Sequence, residues 1–280
     1  MSISFMPRAV NHGFDGAVSP AWQMVPVGGM RVLKLRGAGS RQPRVLDSKV
    51  ATVRQTRSGN ELSVQITGVT EGRTLIEWFA SASEAGPAGT GFTLVVSVKI
   101  ELRISTAFHY VSDGRKQVTK RKIEDLDRIV NIANAILTPQ SNVKIMRRSA
   151  AALKIAQDLG QVVRYSAHIV GSDAAQHEWD DLLSHADASA DFNVFFVREY
   201  EQDDTPLVDN VAAGTIAADK MCIFEDQMGT APGEVLAHET LHLLGVSEHS
   251  KSWRHLSAAD TKTGRQIPMG EADQINPSGT

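Results

Sequence analysis

Apolar and polar residues alternate in short runs over the first hundred positions of the chain. The run LSVQI at 62–66 has the period of two that a strand with one buried face requires. Glycine, serine and proline separate it from similar runs, and no helical period lies between them. The other predicted strands of this region lie at 30–35, 50–53, 74–79 and 92–98. Strands at this spacing predict a small antiparallel β-sandwich.

Strands and helices alternate after residue 100. Apolar residues at steps of three and four predict a helix from its N-cap Thr119 to about Leu137, where Pro139 ends it. A short helix is predicted at 176–185. The run FNVFFV at 192–197 is almost continuously apolar, which is typical of a strand buried on both faces. Further strands are predicted at 99–110, 143–146, 162–169, 211–217 and 220–224.

The change of pattern divides the chain into two predicted domains. We expect an all-β sandwich over residues 1–100 and an α/β domain over 101–280, with a mixed sheet, a backing helix and a late second helix. A chain of 280 residues with 42% hydrophobic positions is long enough to give each of them a core.

Composition and charge narrow the possible functions. A formal net charge of −3 argues against a nucleic-acid binder that relies on bulk positive charge. No apolar run reaches the roughly 18 residues of a membrane span. The N-terminal stretch MSISFMPRAVNHGF lacks the pattern of a secretory signal. We therefore expect synthesis in the cytoplasm, with export by a signal-independent route left open. The single cysteine, Cys222, excludes an internal disulfide and is predicted to be buried.

A predicted helix near the C-terminal end carries the candidate chemistry. The segment TAPGE at 230–234 suits a helix start, with proline and glutamate in the first turn. His238 and His242 lie four residues apart, so both imidazoles leave one helix face and can bind one metal ion. Gly245 is expected to adopt a left-handed conformation and end the helix. The chain can then turn back and bring His249 to the same metal.

Three neutral imidazoles leave one coordination position open, which is the arrangement of a catalytic zinc site. Glu239, next to His238, is placed to accept a proton from water without binding the metal. The alternative is an amphipathic helix whose histidines are merely polar. The short pattern HExxH arises by chance in about one of 70 such chains, but the added Gly245 and His249 make a coincidence far rarer.

The segment HETLHLLGVSEH at 238–249 matches HExxHxxGxxH, the zinc motif of the metzincin clan of metalloendopeptidases, at every defining position. This resemblance implies one zinc ion per chain, held by His238, His242 and His249. It also implies that Glu239 is the general base in peptide-bond hydrolysis.

Two further features of that clan have counterparts in the sequence. Its members have a methionine-containing tight turn beneath the metal, and Met269 in QIPMG resembles that residue, although an ordinary loop methionine is the alternative. The strand before their active-site helix pairs with extended substrate. Gly214 and Thr215, in VAAGTIA at 211–217, occupy that place, where an ordinary edge strand is the alternative.

The sequence also departs from family patterns. No tyrosine follows Tyr200, so the fifth ligand that some metzincins use is absent. Glu271 is an alternative third ligand of the thermolysin-like kind. It would need a helix of its own, for which Pro268 and Gly270 are expected to leave little room. The acidic run EYEQDD at 199–204 suggests calcium binding, although a solvated loop is favoured.

The passage 64–98 resembles a bacterial immunoglobulin-like module. Together with a terminal metallopeptidase, it resembles bacterial effector toxins delivered by contact-dependent secretion. This implies an immunity protein or a secretion-machine component as a partner of the N-terminal module. The preferred function is a metalloendopeptidase acting on a protein or peptide substrate. The alternatives are a zinc hydrolase that cuts cell-wall peptide cross-links, and a binding or adaptor protein with a vestigial zinc site.

Overall fold

The chain forms two compact units. The structure, a computed structural model, describes residues 3–6, 12–59, 61–79, 92–160, 162–164, 178–201, 213–227, 231–259 and 264–278. The first unit comprises Met1–Leu102, Ala135–Val143 and Arg265–Thr280, and the second comprises Arg103–Asn134 and Lys144–Gly264. The predicted division into domains at residue 100 stays a prediction. The two later segments of that unit were not expected from the sequence.

The strands of the first unit form two sheets. They are β1 (Ser4–Phe5), β2 (Phe14–Asp15), β3 (Ala21–Pro26), β4 (Met30–Arg36), β5 (Gln42–Val45), β6 (Ala51–Ser58), β7 (Glu61–Gly68), β8 (Gly72–Phe79) and β9 (Phe92–Lys99). One sheet has the order β1-β4-β7-β6 and the other the order β2-β3-β9-β8-β5. Side chains of both sheets, among them Leu33, Val64, Ile76 and Val96, share one apolar core.

The prediction that this region is wholly antiparallel is wrong, because β3 pairs with β9 in parallel. Parallel neighbours need a long connection, and the chain between these two strands provides one. The resemblance of residues 64–98 to a bacterial immunoglobulin-like module stays a prediction.

A C-terminal helix, α4 (Met269–Ile275), also belongs to the first unit. Lys99 of β9 is completely buried, and its ammonium donates to Asp273 Oδ1 at 2.7 Å and to the Asn276 carbonyl. Asp273 also pairs with Arg73. The Asn276 side-chain amide donates to the Ile100 carbonyl at 3.0 Å. Buried polar contacts therefore hold this helix within the unit.

The second unit is built on a five-stranded sheet. Its strands are β10 (Leu102–Ser112), β11 (Val143–Lys154), β13 (Phe192–Phe196), β15 (Ala213–Ile216) and β16 (Met221–Phe224). Two short strands, β12 (Val163–Arg164) and β14 (Tyr200–Glu201), pair separately. The sheet order is β11-β10-β13-β16-β15. Strands β10, β13 and β16 are mutually parallel, whereas β15 runs antiparallel to β16. The predicted mixed sheet is confirmed.

Helices α1 (Leu126–Ser141), α2 (Glu178–Leu183) and α3 (Pro232–Leu243) accompany this sheet. The residues predicted for the apolar face of α1 are buried: Leu126, Ile129, Val130, Ala133, Ile136 and Leu137. All five residues of β13 are buried, as the apolar run predicts. Within the described part of the chain, none of the helices is both long and apolar enough to cross a membrane.

Both predicted ends of α1 are wrong. Thr119 is not its N-cap, because α1 begins only at Leu126; the Thr119 hydroxyl instead donates to Asp226 Oδ1 at 2.6 Å. Pro139 lies inside the last turn, where its ring removes one N–H but leaves the earlier hydrogen bonds intact. The helix ends instead at Asn142, which has a left-handed φ of 56° and donates its N–H to the Thr138 carbonyl at 3.0 Å.

Candidate metal centre

Helix α3 begins with a proline in its first turn and a glycine that packs closely against α1. Ala231 is its N-cap and Pro232 its first residue. Thr230, the first residue of the segment predicted as the helix start, lies outside the described residues. Gly233 is buried against α1, where an added Cβ would lie 2.5 Å from Ile132 Cβ. Only glycine permits this approach, which places the helix close to the backbone of α1.

The C-terminal end of α3 is a Schellman motif. Gly245 has a φ of 99°, as predicted for the residue that ends the helix. Its N–H donates to the His242 carbonyl at 3.1 Å, and the Val246 N–H donates to the Leu241 carbonyl at 3.0 Å. These two bonds give partners to two carbonyls of the last helical turn. The chain reverses direction there, so that His249 can return toward the helix.

The three predicted ligands come together. The Nε2 atom of His242 lies 3.0 Å from Nε2 of His238 and 3.2 Å from Nε2 of His249. All three ligand atoms lie within 4.8 Å of one another, and the group could hold a metal ion. His238 is buried, His242 is half-buried and His249 is exposed. The site therefore opens to solvent on the side of His249.

Two backbone carbonyls orient the ligand rings. His238 Nδ1 lies 2.7 Å from the Leu256 carbonyl, and His242 Nδ1 lies 2.6 Å from the Val246 carbonyl. A carbonyl only accepts hydrogen bonds, so each neutral ring carries its proton on Nδ1. The Nε2 lone pairs of both rings then point into one small space. They repel one another unless a cation lies between them.

The spacing also suits zinc. A tetrahedral zinc ion with Zn–N bonds of about 2.0–2.1 Å requires nitrogen atoms about 3.3 Å apart. Two of the three separations, 3.0 and 3.2 Å, are close to this value, and the third lies within 4.8 Å. Backbone carbonyls behind metal-binding imidazoles fix the tautomer and the ring orientation. The residues present therefore fit a zinc ion.

Burial tunes the charge of these groups. It lowers the pKa of His238 and of His242, so both rings favour the neutral, metal-binding form. The Glu239 carboxyl, 5% exposed, follows His238 on the helix. Burial raises the pKa of this carboxyl, while His242 and the Thr215 hydroxyl oppose the rise. A carboxylate with a raised pKa is a better proton acceptor at neutral pH.

The segment 250–258, which we call the ligand loop, presents the Leu256 carbonyl to His238. Ser250 Oγ lies 2.8 Å from His255 Nδ1, and the Ser250 N–H donates to the Ser257 carbonyl at 3.0 Å. Trp253 projects from this loop with 61% of its surface exposed. Sequence reasoning missed Val246 and Leu256, since any residue type supplies a backbone carbonyl.

Strand β15 lies at the edge of the described sheet, as predicted, and packs against α3. Residues 211 and 212 of the predicted strand lie outside the described part of the chain. At Gly214 an added Cβ would lie 2.5 Å from the Tyr200 hydroxyl, so this glycine accommodates Tyr200. Thr215 pairs in register with Cys222, whose thiol is completely buried. The substrate-binding role of Gly214 and Thr215 stays a prediction.

Met269 is the first residue of α4 in the first unit, where its N–H donates to Asp15 Oδ2 at 3.3 Å. Its predicted place beneath a metal stays a prediction. The expectation that Pro268 and Gly270 prevent a helix around Glu271 is wrong, because α4 contains Glu271 with Pro268 as its N-cap. Proline fits a helix start, where its missing N–H has no intrahelical acceptor.

Half of the acidic run predicted as a possible calcium site, residues 202–204, lies outside the described part of the chain. Among the residues that the structure does describe, the histidine group is the cluster that could hold a metal ion.

No protein-family profile matches the chain, and no curated protein matches it in sequence. Among solved structures, domains 4 and 5 of the S-layer protein SbsC share 19% identity over 35% of this chain and 51% of theirs, with a TM-score of 0.23. Metalloproteinase-II from Bacteroides fragilis shares 10% identity over 98% of this chain and 85% of its own, with a TM-score of 0.38. The chain spans 12–51% of the first SbsC structures that it matches. These TM-scores are too low to carry an argument.

Proposed function

We propose that the chain is a zinc-dependent metallopeptidase that hydrolyses peptide bonds. The convergence of His238, His242 and His249 on one small space carries this proposal, because three ring nitrogens directed at one point suit a metal ion. Glu239 lies beside this group on the same helix and is almost completely buried. A metal site with an adjacent protected base is suited to hydrolysis.

Zinc, when bound, supplies Lewis acidity, which polarises a carbonyl and lowers the pKa of a coordinated water molecule toward about 7. Glu239 accepts the proton that the attacking water loses. The same carboxyl then donates this proton to the departing amine, which leaves as a neutral group. The raised pKa of Glu239 suits it to both steps at neutral pH.

The outer edge of β15 supports a peptide as the substrate. No strand pairs with the outer edge of β15 among the residues that the structure describes. An extended peptide can add to such an edge through main-chain hydrogen bonds. Because β15 packs against the helix that carries Glu239, a peptide bound there would lie beside the histidine group. This arrangement supports a protein or peptide as the proposed substrate.

Substitution of Glu239 tests the chemistry. Glu239→Ala should retain about one zinc ion per chain and lose peptide hydrolysis by at least about a thousandfold, since the proton acceptor is gone. His242→Ala should lose the zinc itself. Glu248→Ala, which removes an exposed carboxyl from the same motif, is the matched control and should retain both. Metal analysis and a broad peptide library provide the measurements.

The same variants separate the competing functions. Hydrolysis at the wild-type rate in Glu239→Ala would exclude the proposed mechanism. Activity confined to cell-wall peptide cross-links would keep the chemistry and change the substrate class. Full biological effect in Glu239→Ala would identify a binding protein with a vestigial site.

A further inference from the structure

The side chain of Thr215 points toward the active-site helix. Neighbouring residues of a strand face opposite sides of the sheet. Gly214 faces Tyr200, and Ile216 packs against the apolar cluster that contains Tyr200, Met221 and Ile223. Thr215 therefore faces the other side of β15, on which α3 packs.

The Thr215 hydroxyl is buried there without a hydrogen bond of ordinary length and angle. Buried hydroxyls in proteins almost always have a partner, because desolvating one without a partner is unfavourable. Two polar groups lie close to it: the Cys222 thiol, directly opposite on β16, and the Glu239 carboxyl on α3. Each of them is a candidate partner for the hydroxyl in the working protein.

The carboxyl is the better acceptor. A hydrogen bond to a carboxylate is charge-assisted and short, whereas thiol sulfur accepts only weakly. The Cys222 thiol donates to the Ile223 carbonyl at 3.6 Å, so it is not a donor to the Thr215 hydroxyl.

We propose that Thr215 is a positioning residue for Glu239, whose carboxylate accepts a hydrogen bond from the Thr215 hydroxyl in the working protein. One carboxylate oxygen is then held by the sheet, and the other stays free to take the proton from water. The part of this proposal that concerns catalysis rests on the proposed function. This role differs from the backbone contact with substrate predicted for the same residue.

Kinetics of Thr215 variants test the catalytic part. Thr215→Val keeps the shape and removes the donor, so kcat should fall about ten- to a hundredfold, with KM within about twofold and zinc unchanged. Thr215→Ser restores the donor and should recover most of kcat. Thr106→Val is the matched control, because Thr106 is fully buried in the same sheet and its hydroxyl bonds the Ile104 carbonyl. An unchanged kcat in Thr215→Val, or no recovery in Thr215→Ser, would overturn the proposal.

A double-mutant cycle tests the contact itself without activity. The unfolding equilibrium constant of the zinc-free protein is measured for Thr215→Val, Glu239→Ala and the double variant. Each substitution changes the unfolding equilibrium constant by some factor. If the two side chains interact, the factor for the double variant should be about tenfold smaller than the product of the two single-variant factors. In a second cycle, Cys222→Ala replaces Glu239→Ala. There the factor for the double variant should equal the product of the two single-variant factors within about twofold, because no interaction is expected. Thr215→Ala replaces Thr215→Val in both experiments if the valine variant does not fold.

Coupling to Cys222 instead of Glu239, or no coupling to either, would overturn the proposal. Coupling to Glu239 in a protein that hydrolyses no peptide would contradict the proposed function and leave the contact standing. Hydrolysis by wild type, together with an absent coupling, would contradict this inference alone.

Discussion

At the scale of single residues, His238 shows how burial prepares a ligand. The ring is 5% exposed and its Nδ1 faces the Leu256 carbonyl, so its free nitrogen is oriented before any metal arrives. Burial lowers its pKa, which reduces the competition between protons and the metal. The same shift links the stability of the zinc-free protein to pH.

The zinc-free protein should lose stability as the pH falls below about 6.5, the ordinary pKa of histidine. In that range His238 takes up a proton in the unfolded chain and stays neutral in the folded one. The unfolded state then binds more protons, so the free energy of unfolding decreases with falling pH until the folded pKa is reached. Urea denaturation with a chelator at pH 7.5 and 5.5 measures this. His238→Gln should show a weaker pH dependence, and equal dependence in both proteins would contradict the assignment.

Glu239 is expected to lower the stability of the folded protein at neutral pH, although the proposed hydrolysis requires it. Burial raises its pKa, so above the unfolded pKa of about 4.3 the folded state loses stability as the pH rises toward the folded pKa. Glu239→Gln removes this penalty with little change of shape. We expect a gain of about 1 kcal/mol in the zinc-free protein at neutral pH, together with lost hydrolysis. Thermal denaturation measures the gain, and Glu248→Gln, at an exposed position, should show none.

At the scale of elements, the active-site helix depends on a close crossing at its start. An added Cβ at Gly233 would meet Ile132 Cβ at 2.5 Å and the Ile129 carbonyl at 2.7 Å. Gly233→Ala should therefore displace the helix, cost about 1–3 kcal/mol and weaken zinc binding. Gly270→Ala is the control, because nothing lies within 4 Å of its added Cβ, and it should be neutral or slightly stabilising. Similar melting temperatures for both variants would show that the crossing tolerates a side chain.

Sequence patterns predicted α3 well because its determinants are local. The proline at its start, the histidine spacing and Gly245 each act within a few residues. The start of α1 could not be predicted in the same way. Thr119 has the side chain of a good cap, but a distant carboxylate, Asp226, accepts the hydrogen bond from its hydroxyl. Strand β3 was missed for a related reason, since it pairs in parallel with β9 across a long connection.

In the candidate site, too, some features depend on nearby residues in the sequence and others depend on the folded chain. The convergence of the three histidines and the position of Glu239 beside them follow from side-chain types at fixed spacing, so the sequence was sufficient to predict them. The carbonyls of Val246 and Leu256 come from residues whose identity does not matter, and only the folded chain shows them. The facing of Thr215 likewise depends on the register of β15 with β16.

At the scale of the whole molecule, the first unit is completed by the C-terminal end of the chain. Lys99 is fully buried, and burial lowers its pKa while Asp273 opposes that shift. Asp273→Ala would leave the buried ammonium without its carboxylate, and we expect a loss of about 3–5 kcal/mol. Urea denaturation measures it.

The control for Asp273 is Glu61→Ala. Glu61 pairs with Lys34 at 3.4 Å, and the two side chains are 42% and 50% exposed, so the loss should stay below about 1 kcal/mol. Equal losses in the two variants would show that the Lys99 pair behaves like a surface pair.

The proposed effector role stays a prediction. The same holds for an immunity protein or a secretion-machine component as a partner of the N-terminal module.

The ligand loop also gives the protein an optical signal. Trp22, Trp78 and Trp179 are at most 1% exposed, whereas Trp253 is 61% exposed. These are all four tryptophans of the chain, so an aqueous quencher such as iodide acts almost entirely on Trp253. The loop that carries this fluorophore also holds the ring of His238 through the Leu256 carbonyl. The fluorescence of the unlabelled protein can therefore report the state of the loop during a zinc titration, independently of any substrate.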